Sequence, residues 1–221
     1  MCGIVGYIGP RDASTIVLEG LRRLEYRGYD SAGLAILQDG RLVLRRSVGK
    51  IENLATLLSQ EPVHGHVGMG HTRWATHGSV TKANTHPHKD CKGEIVVIHN
   101  GIVENYRELK EQLLAEGHTF RSQTDTEVIA HLIEKHRDQT GDLVTAVRMA
   151  LLELKGASAV VILSVLEPDQ MLTARLGNAG GVVVGYGDKE MYVASDIPAI
   201  LEHTQRLSFL ESRELAVVTE N

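Results

Sequence analysis

The chain has 221 residues, 43% of them hydrophobic and 23% charged, with a formal net charge of −5. That is the composition of a soluble globular protein with ample length for a core, and the acidic balance argues against nucleic acid as a default partner. Two cysteines make no disulfide framework and fit a reducing compartment, and no apolar run approaches a membrane span, so a soluble cytoplasmic protein is the simplest reading.

Gly3-Ile4-Val5-Gly6-Tyr7-Ile8 reads as a buried strand directly after Cys2. Asp12 can cap a helix over Ala13–Leu24, with Ile16, Val17, Gly20, Leu21 and Leu24 along one face. Strands at Ala32–Leu37 and Leu42–Arg46 flank Asp39-Gly40, a hairpin signal, because a type I′ turn needs positive φ at both central residues. A short helix follows at Ile51–Ser59, then strands at Val67–Arg73 and Glu94–His99; the second is almost wholly apolar and so covered on both faces. The middle is helical: Tyr106–Glu116 ending at Gly117, then Thr126–His136 and Leu143–Leu154. Strands return at Ala159–Leu166, Met171–Arg175, Gly181–Tyr186, Met191–Ala194, Leu207–Leu210 and Glu214–Val218. Runs of strands and runs of helices without strict alternation give an α+β class. With no repeat or linker, the chain reads as one domain over 1–221, and its end after a strand would suit a unit excised from a larger protein.

Chemistry concentrates in four places. If Met1 is removed, Cys2 carries both the thiol and the α-amine, a nucleophile beside its own base; the plainer alternative is a buried strand start. Gly70-His71-Thr72-Arg73-Trp74-Ala75-Thr76-His77-Gly78 leaves a strand for a donor-rich loop. The planar fork of Arg73 suits a carboxylate, or else pairs with a neighbouring acid. Ile95–His99 ends at Asn100-Gly101, where a side-chain amide and a backbone N–H can converge on an oxyanion, or merely form a turn. Asp125, within Ser122–Glu127, reads locally as a helix cap and otherwise as an acceptor for a substrate ammonium. Thr85-His86-Pro87-His88 with Cys91 matches no standard zinc spacing, so no metal is expected and Cys91 reads as structural. No glycine pattern supports nucleotide binding.

Taken in order, Met1-Cys2-Gly3-Ile4-Val5-Gly6, His71 to Gly78, His99-Asn100-Gly101 and Thr124-Asp125-Thr126-Glu127 resemble the glutaminase domain of class II glutamine amidotransferases. These are N-terminal nucleophile hydrolases that begin Cys-Gly-Ile. The block Leu21-Arg22-Arg23-Leu24-Glu25-Tyr26-Arg27-Gly28-Tyr29-Asp30-Ser31-Ala32-Gly33 looks like that of the branch that aminates fructose-6-phosphate. The resemblance implies a four-layer αββα sandwich of two mainly antiparallel sheets. It implies that Cys2 is the nucleophile and its α-amine the base, with the Asn100 side chain and the Gly101 N–H as oxyanion hole. Arg27 and Gly28 would border the active cysteine. Arg73 would clamp the α-carboxylate of L-glutamine, with Thr76 and His77 in the same loop, Trp74 closing over the substrate and Asp125 holding its ammonium.

The implied reaction passes through a γ-glutamyl thioester to glutamate and ammonia and needs no cofactor. The resemblance further implies a partner absent from these 221 residues, a sugar-isomerase region that binds fructose-6-phosphate, and a homodimer in full-length form. Two other functions compete with this one: a catalytically silent glutamine-binding regulatory domain, and an N-terminal nucleophile amidase acting on another amide.

Overall fold

The computed structural model describes residues 2–75, 78–178 and 180–220. Thr76 and His77, assigned above to the substrate loop, lie outside the described residues. In chain order the elements are β1 (Gly3–Ile8), α1 (Ala13–Arg23), β2 (Ser31–Gln38), β3 (Arg41–Val48), α2 (Ile51–Gln60), β4 (Val67–Arg73), β5 (His88–Lys89) and β6 (Ile95–Gly101). Then come α3 (Tyr106–Ala115), α4 (Glu127–Thr140), α5 (Leu143–Glu153), β7 (Ser158–Ser164), β8 (Gln170–Leu176), β9 (Val183–Tyr186), β10 (Met191–Ala194), β11 (Leu207–Phe209) and β12 (Glu214–Thr219).

Two sheets form, one in the order β11-β9-β10-β1-β4-β2-β3 and one in the order β12-β8-β7-β6-β5. Every pairing is antiparallel. The inner strands β1, β6 and β7 are buried on both faces because each sheet is covered twice. In β1, Ile4 and Ile8 join Val96 and Ile98 of β6 and Val161 of β7 in a core between the sheets. Val5 and Tyr7 point the other way, onto Ile16, Val17 and Leu21 of α1. Val97, Val160 and Ile162 turn outward from the second sheet to meet α3, α4 and α5. The layers are therefore helix, sheet, sheet, helix, an αββα sandwich.

The helix termini follow local sequence. Asp12 accepts from the Ser14 N–H at 3.2 Å at the head of α1, and Asp142 accepts from Thr145 at the head of α5. One local assignment is corrected: Thr126, not Asp125, occupies the N-cap of α4, and no side chain caps there. The Asp125 carboxylate instead accepts from the Val103 N–H at 2.8 Å, across a loop that the short range of sequence does not reveal. Among the described residues, no helix is long and apolar enough to cross a membrane.

The topology gathers strand ends. Antiparallel pairing sets Gly3, at the start of β1, opposite Thr72, at the end of β4. Asn100 ends β6 in the facing sheet and donates from Nδ2 to the Cys2 carbonyl at 3.0 Å, joining the two sheets at that end of the sandwich.

Candidate active site

A cavity of about 380 Å³ opens where those ends meet. Its lining includes Cys2, Arg27, Arg73, Trp74, Asn100, Gly101 and Asp125, drawn from five separate stretches of chain.

Cys2 is held by its neighbours. The Gly3 N–H donates to Thr72 Oγ1 at 3.1 Å and the Ile4 N–H to Ser195 Oγ at 2.9 Å, so the first residues are tethered to both flanking strands. The Trp74 N–H donates to Cys2 Sγ at 3.1 Å, and Sγ lies 3.6 Å from the Trp74 carbonyl. Burial raises the thiol pKa above its ordinary 9.0 despite that N–H. The resting sulfur is thus a thiol, and to act as a nucleophile it would need a base to take its proton.

The orientation of Asn100 follows from its partners. The Cys2 carbonyl can only accept, so Nδ2 faces it and Oδ1 faces His71 Nε2 at 3.0 Å, which must then carry the ring proton. Burial lowers the His71 pKa to about 3, so the ring is neutral and this tautomer is fixed. Gly101 follows with φ at 140°, and a Cβ there would lie 2.1 Å from the Ala157 carbonyl oxygen. Only glycine lets the chain pass Ala157 this closely at the cavity wall.

Two opposite charges are buried in the same wall. Arg73 is 4% exposed, and its guanidinium donates to the carbonyls of Gly78 and Ser79, each at 3.3 Å. Asp125 is equally buried, with the Val103 contact already described. Arg27 donates to Asp196 at 2.6 Å, so its charge is paired at the rim. Gly28 stands behind the wall: a Cβ there would meet the Arg73 carbonyl carbon at 2.8 Å, so it serves close packing against β4. Trp74 is 48% exposed, edge-on to Tyr29 with ring centroids 5.3 Å apart.

A packed group of histidines completes the wall: His71, His86 and His99 line the cavity, and His88 packs behind them. His71 stacks on His86, with centroids 4.1 Å apart and planes at 15°, and His86 meets His88 edge-on. His99 has both ring nitrogens occupied, by Thr126 Oγ1 at 3.0 Å and Ser158 Oγ at 3.1 Å. His88 Nε2 meets Thr124 Oγ1 at 3.0 Å. The fixing role of His71, the tethers Thr72 and Ser195, and the wall residues Asn178 and Gly180 were not singled out from sequence. His71 and Thr72 do fall within the Gly70–Gly78 string, and the glycine-rich Gly177–Gly181 stretch at the end of a strand is a signal for Asn178 and Gly180, whereas nothing local marks Ser195.

The model of a family described as a glutamine amidotransferase domain matches residues 59–220. The glutamine–fructose-6-phosphate aminotransferase (isomerizing) of Pyrococcus horikoshii is 51% identical over 221 residues, covering all of this chain and 37% of that protein. Its namesake from Aquifex aeolicus is 51% identical over 219 residues, covering 99% and 36%. The chain thus spans little more than a third of the length of the curated relatives it matches. Among solved structures, an allosteric regulatory enzyme of purine biosynthesis superposes with a TM-score of 0.86 at 30% identity, covering 99% of this chain and 47% of that one. The glutamine phosphoribosylpyrophosphate amidotransferase of B. subtilis, complexed with ADP and GMP, gives 0.81 at 26% identity, covering 100% and 49%.

Proposed function

The chain belongs to the glutamine amidotransferase family, and from that premise we propose that its residues 1–221 form one glutaminase domain working through Cys2. The observation that carries the reading is a single small cavity lined by a thiol, a buried arginine and a buried aspartate. A free amino acid presents one carboxylate and one ammonium, and Arg73 and Asp125 offer the matching charges. Arg73 binds the carboxylate, Asp125 the ammonium, and the side-chain amide of glutamine then reaches Cys2.

The steps follow from the same residues. Removal of Met1 leaves the α-amine on the residue that bears the thiol. The amine takes the thiol proton as sulfur attacks the amide carbon, and the carbonyl oxygen becomes an oxyanion. Asn100 Nδ2 and the Gly101 N–H stabilise it, with neutral His71 keeping the amide turned the right way. Collapse breaks the C–N bond, the α-ammonium returns its proton to the leaving nitrogen, and ammonia departs. Water then opens the thioester, releasing glutamate and restoring the thiol. Trp74 closes over the bound substrate, and Arg27 shapes the rim while Gly28 lets the chain pack closely behind it.

The relatives' names and their greater length support a wider setting. In a longer, cytoplasmic and dimeric protein, the ammonia would pass to a sugar-isomerase region and aminate fructose-6-phosphate.

The test is glutamate release from L-glutamine by the full-length protein beside Cys2→Ala, with N-acetyl-glutamine as a second substrate. Turnover should vanish in the variant, and the acetylated compound should fail for want of an ammonium. Turnover surviving in Cys2→Ala would remove the nucleophile assignment, and equal use of both substrates would point to a broader amidase. Glutamine binding without turnover in the native protein would favour a regulatory domain.

A further inference from the structure

Outside the cavity lining, Cys91, His118, His131 and Glu134 converge from three segments of chain. Cys91 lies in the turn between β5 and β6, His118 just past α3, and His131 and Glu134 one turn apart on α4. Each side chain offers one donor atom, and all four atoms lie within 4.8 Å of one another. We propose that they form a zinc site.

The spacing is the first argument. Cys91 Sγ is 3.6 Å from His118 Nδ1 and 3.4 Å from His131 Nδ1, while Glu134 Oε2 is 3.0 Å from the first nitrogen and 3.3 Å from the second. A tetrahedral zinc with ordinary bonds to sulfur, nitrogen and oxygen separates its donors by about 3.2–3.6 Å. Three of these edges fall within that range, and the His118–Glu134 edge is about 0.2 Å short of it.

Donor chemistry is the second argument. One sulfur, two imidazoles and a carboxylate make the mixed, borderline-soft set that zinc takes, whereas calcium and magnesium prefer oxygen alone. Zinc binding would release the thiol proton to solvent, leaving a thiolate, a carboxylate and two neutral rings around a doubly positive ion. The site is then electrically neutral, which suits its burial: the side chain of His131 is wholly buried and that of Glu134 is 5% exposed.

The surroundings are the third. The Thr119 N–H donates to Cys91 Sγ at 3.3 Å, and the Cys91 N–H to Glu134 Oε2 at 3.2 Å. His131 Nε2 is buried and makes no hydrogen bond, yet Glu127 Oε1 stands 3.7 Å away. A metal on Nδ1 fixes the proton on Nε2, facing that carboxylate, the carboxylate–imidazole–metal arrangement that orients such ligands. Glu127 in turn accepts from the Arg121 and Ser122 N–H groups, each at 2.7 Å. The ion would therefore pin α4, the end of α3 and the β5–β6 turn together, close in sequence to Asp125. The inference does not depend on glutamine being the substrate.

The test uses the full-length protein stripped by a chelator and then given Zn²⁺ alone. About one equivalent per chain should be retained, and Co²⁺ in its place should show tetrahedral visible bands with a thiolate-to-metal charge-transfer band. Cys91→Ser should lose that band and bind zinc more than ~100-fold more weakly, beyond the loss expected from an outer partner. His118→Gln, at the rim, repeats the loss of affinity should the serine variant not fold. Cys2→Ala should keep both metal and band, which separates this site from the other thiol. Sub-stoichiometric retention, or a charge-transfer band that survives Cys91→Ser or disappears with Cys2→Ala, would overturn the proposal.

Discussion

Histidines gather at two places in this fold, and the neighbours of His71 in the one and of His131 in the other drive their rings in opposite directions. At the cavity wall, His71, His86 and His99, with His88 behind them, contact hydroxyls, an amide and one another, and burial lowers their pKa values, to about 3 for His71 and His88 and about 4 for His99. Around Cys91, burial also pulls on His131, but the carboxylates of Glu127 and Glu134 outweigh it and the value rises. Burial alone does not decide the charge of a histidine; what it is buried against does. The first cluster is a neutral scaffold that can fix a tautomer beneath Asn100. The second is a set of converging donors with anionic partners, which is what a cation needs.

The largest effect expected from that contrast is on acid stability. Each histidine of the first cluster has a native pKa below the ordinary 6.5, so between the two values the unfolded chain binds more protons. Stability is therefore intact above about 6.5 and falls as pH drops toward 4, by up to about 1.4 kcal/mol per pH unit for each ring. Several rings acting together are comparable to the ~5–15 kcal/mol that holds a typical domain. Circular dichroism of chelator-treated protein should show unfolding within that window. Glu127 and Glu134, both lowered to about 2 because hydrogen bonds and His131 outweigh burial, lose their contribution only below about 4.5. A fold that persists until that lower range would mean the first cluster is not held neutral.

Next in size is the oxyanion contact. Asn100→Ala should lower kcat for glutamine by about 10²–10³-fold. If neutral His71 acts only by turning the amide, His71→Ala should lower kcat less and leave KM nearly unchanged. An equal fall in both variants would instead give the ring a direct part in the reaction, and the scaffold reading of the first cluster would fail.

How much of this could be read from sequence depends on the range of each cause. The elements follow from periodicity and punctuation: Asp39-Gly40 turns between β2 and β3, Asp12 caps α1, and the apolar run at Ile95–His99 is covered on both sides. Helix ends differ by a residue or a few, because capping depends on contacts beyond the helix, as with Asp125 and Val103. The candidate site was legible where its parts form short, unusual strings, at Cys2-Gly3, His71–Gly78 and Asn100-Gly101. It was not legible where one residue acts on a distant one: Ser195 reaches the Ile4 N–H across 191 positions. Cys91 shows the same limit. Its histidine contacts are 27 and 40 positions away, and no local spacing announces them.

The smallest expected effect sharpens the account of the first cluster. Thr126 Oγ1 lies 3.0 Å from His99 Nδ1 and 3.4 Å from His86 Nε2, so one hydroxyl serves two buried rings. Thr126→Val keeps the shape and removes the partner. Leaving such nitrogens unsatisfied should cost about 1–3 kcal/mol, and each kcal/mol should lower Tm by about 2–4 °C in a chain of this size. Urea melts at pH 8, where every ring is neutral in both states, isolate the hydrogen-bond loss from any change in protonation. A wild-type midpoint in Thr126→Val would show that the rings are satisfied by one another, and the scaffold would rest on stacking alone.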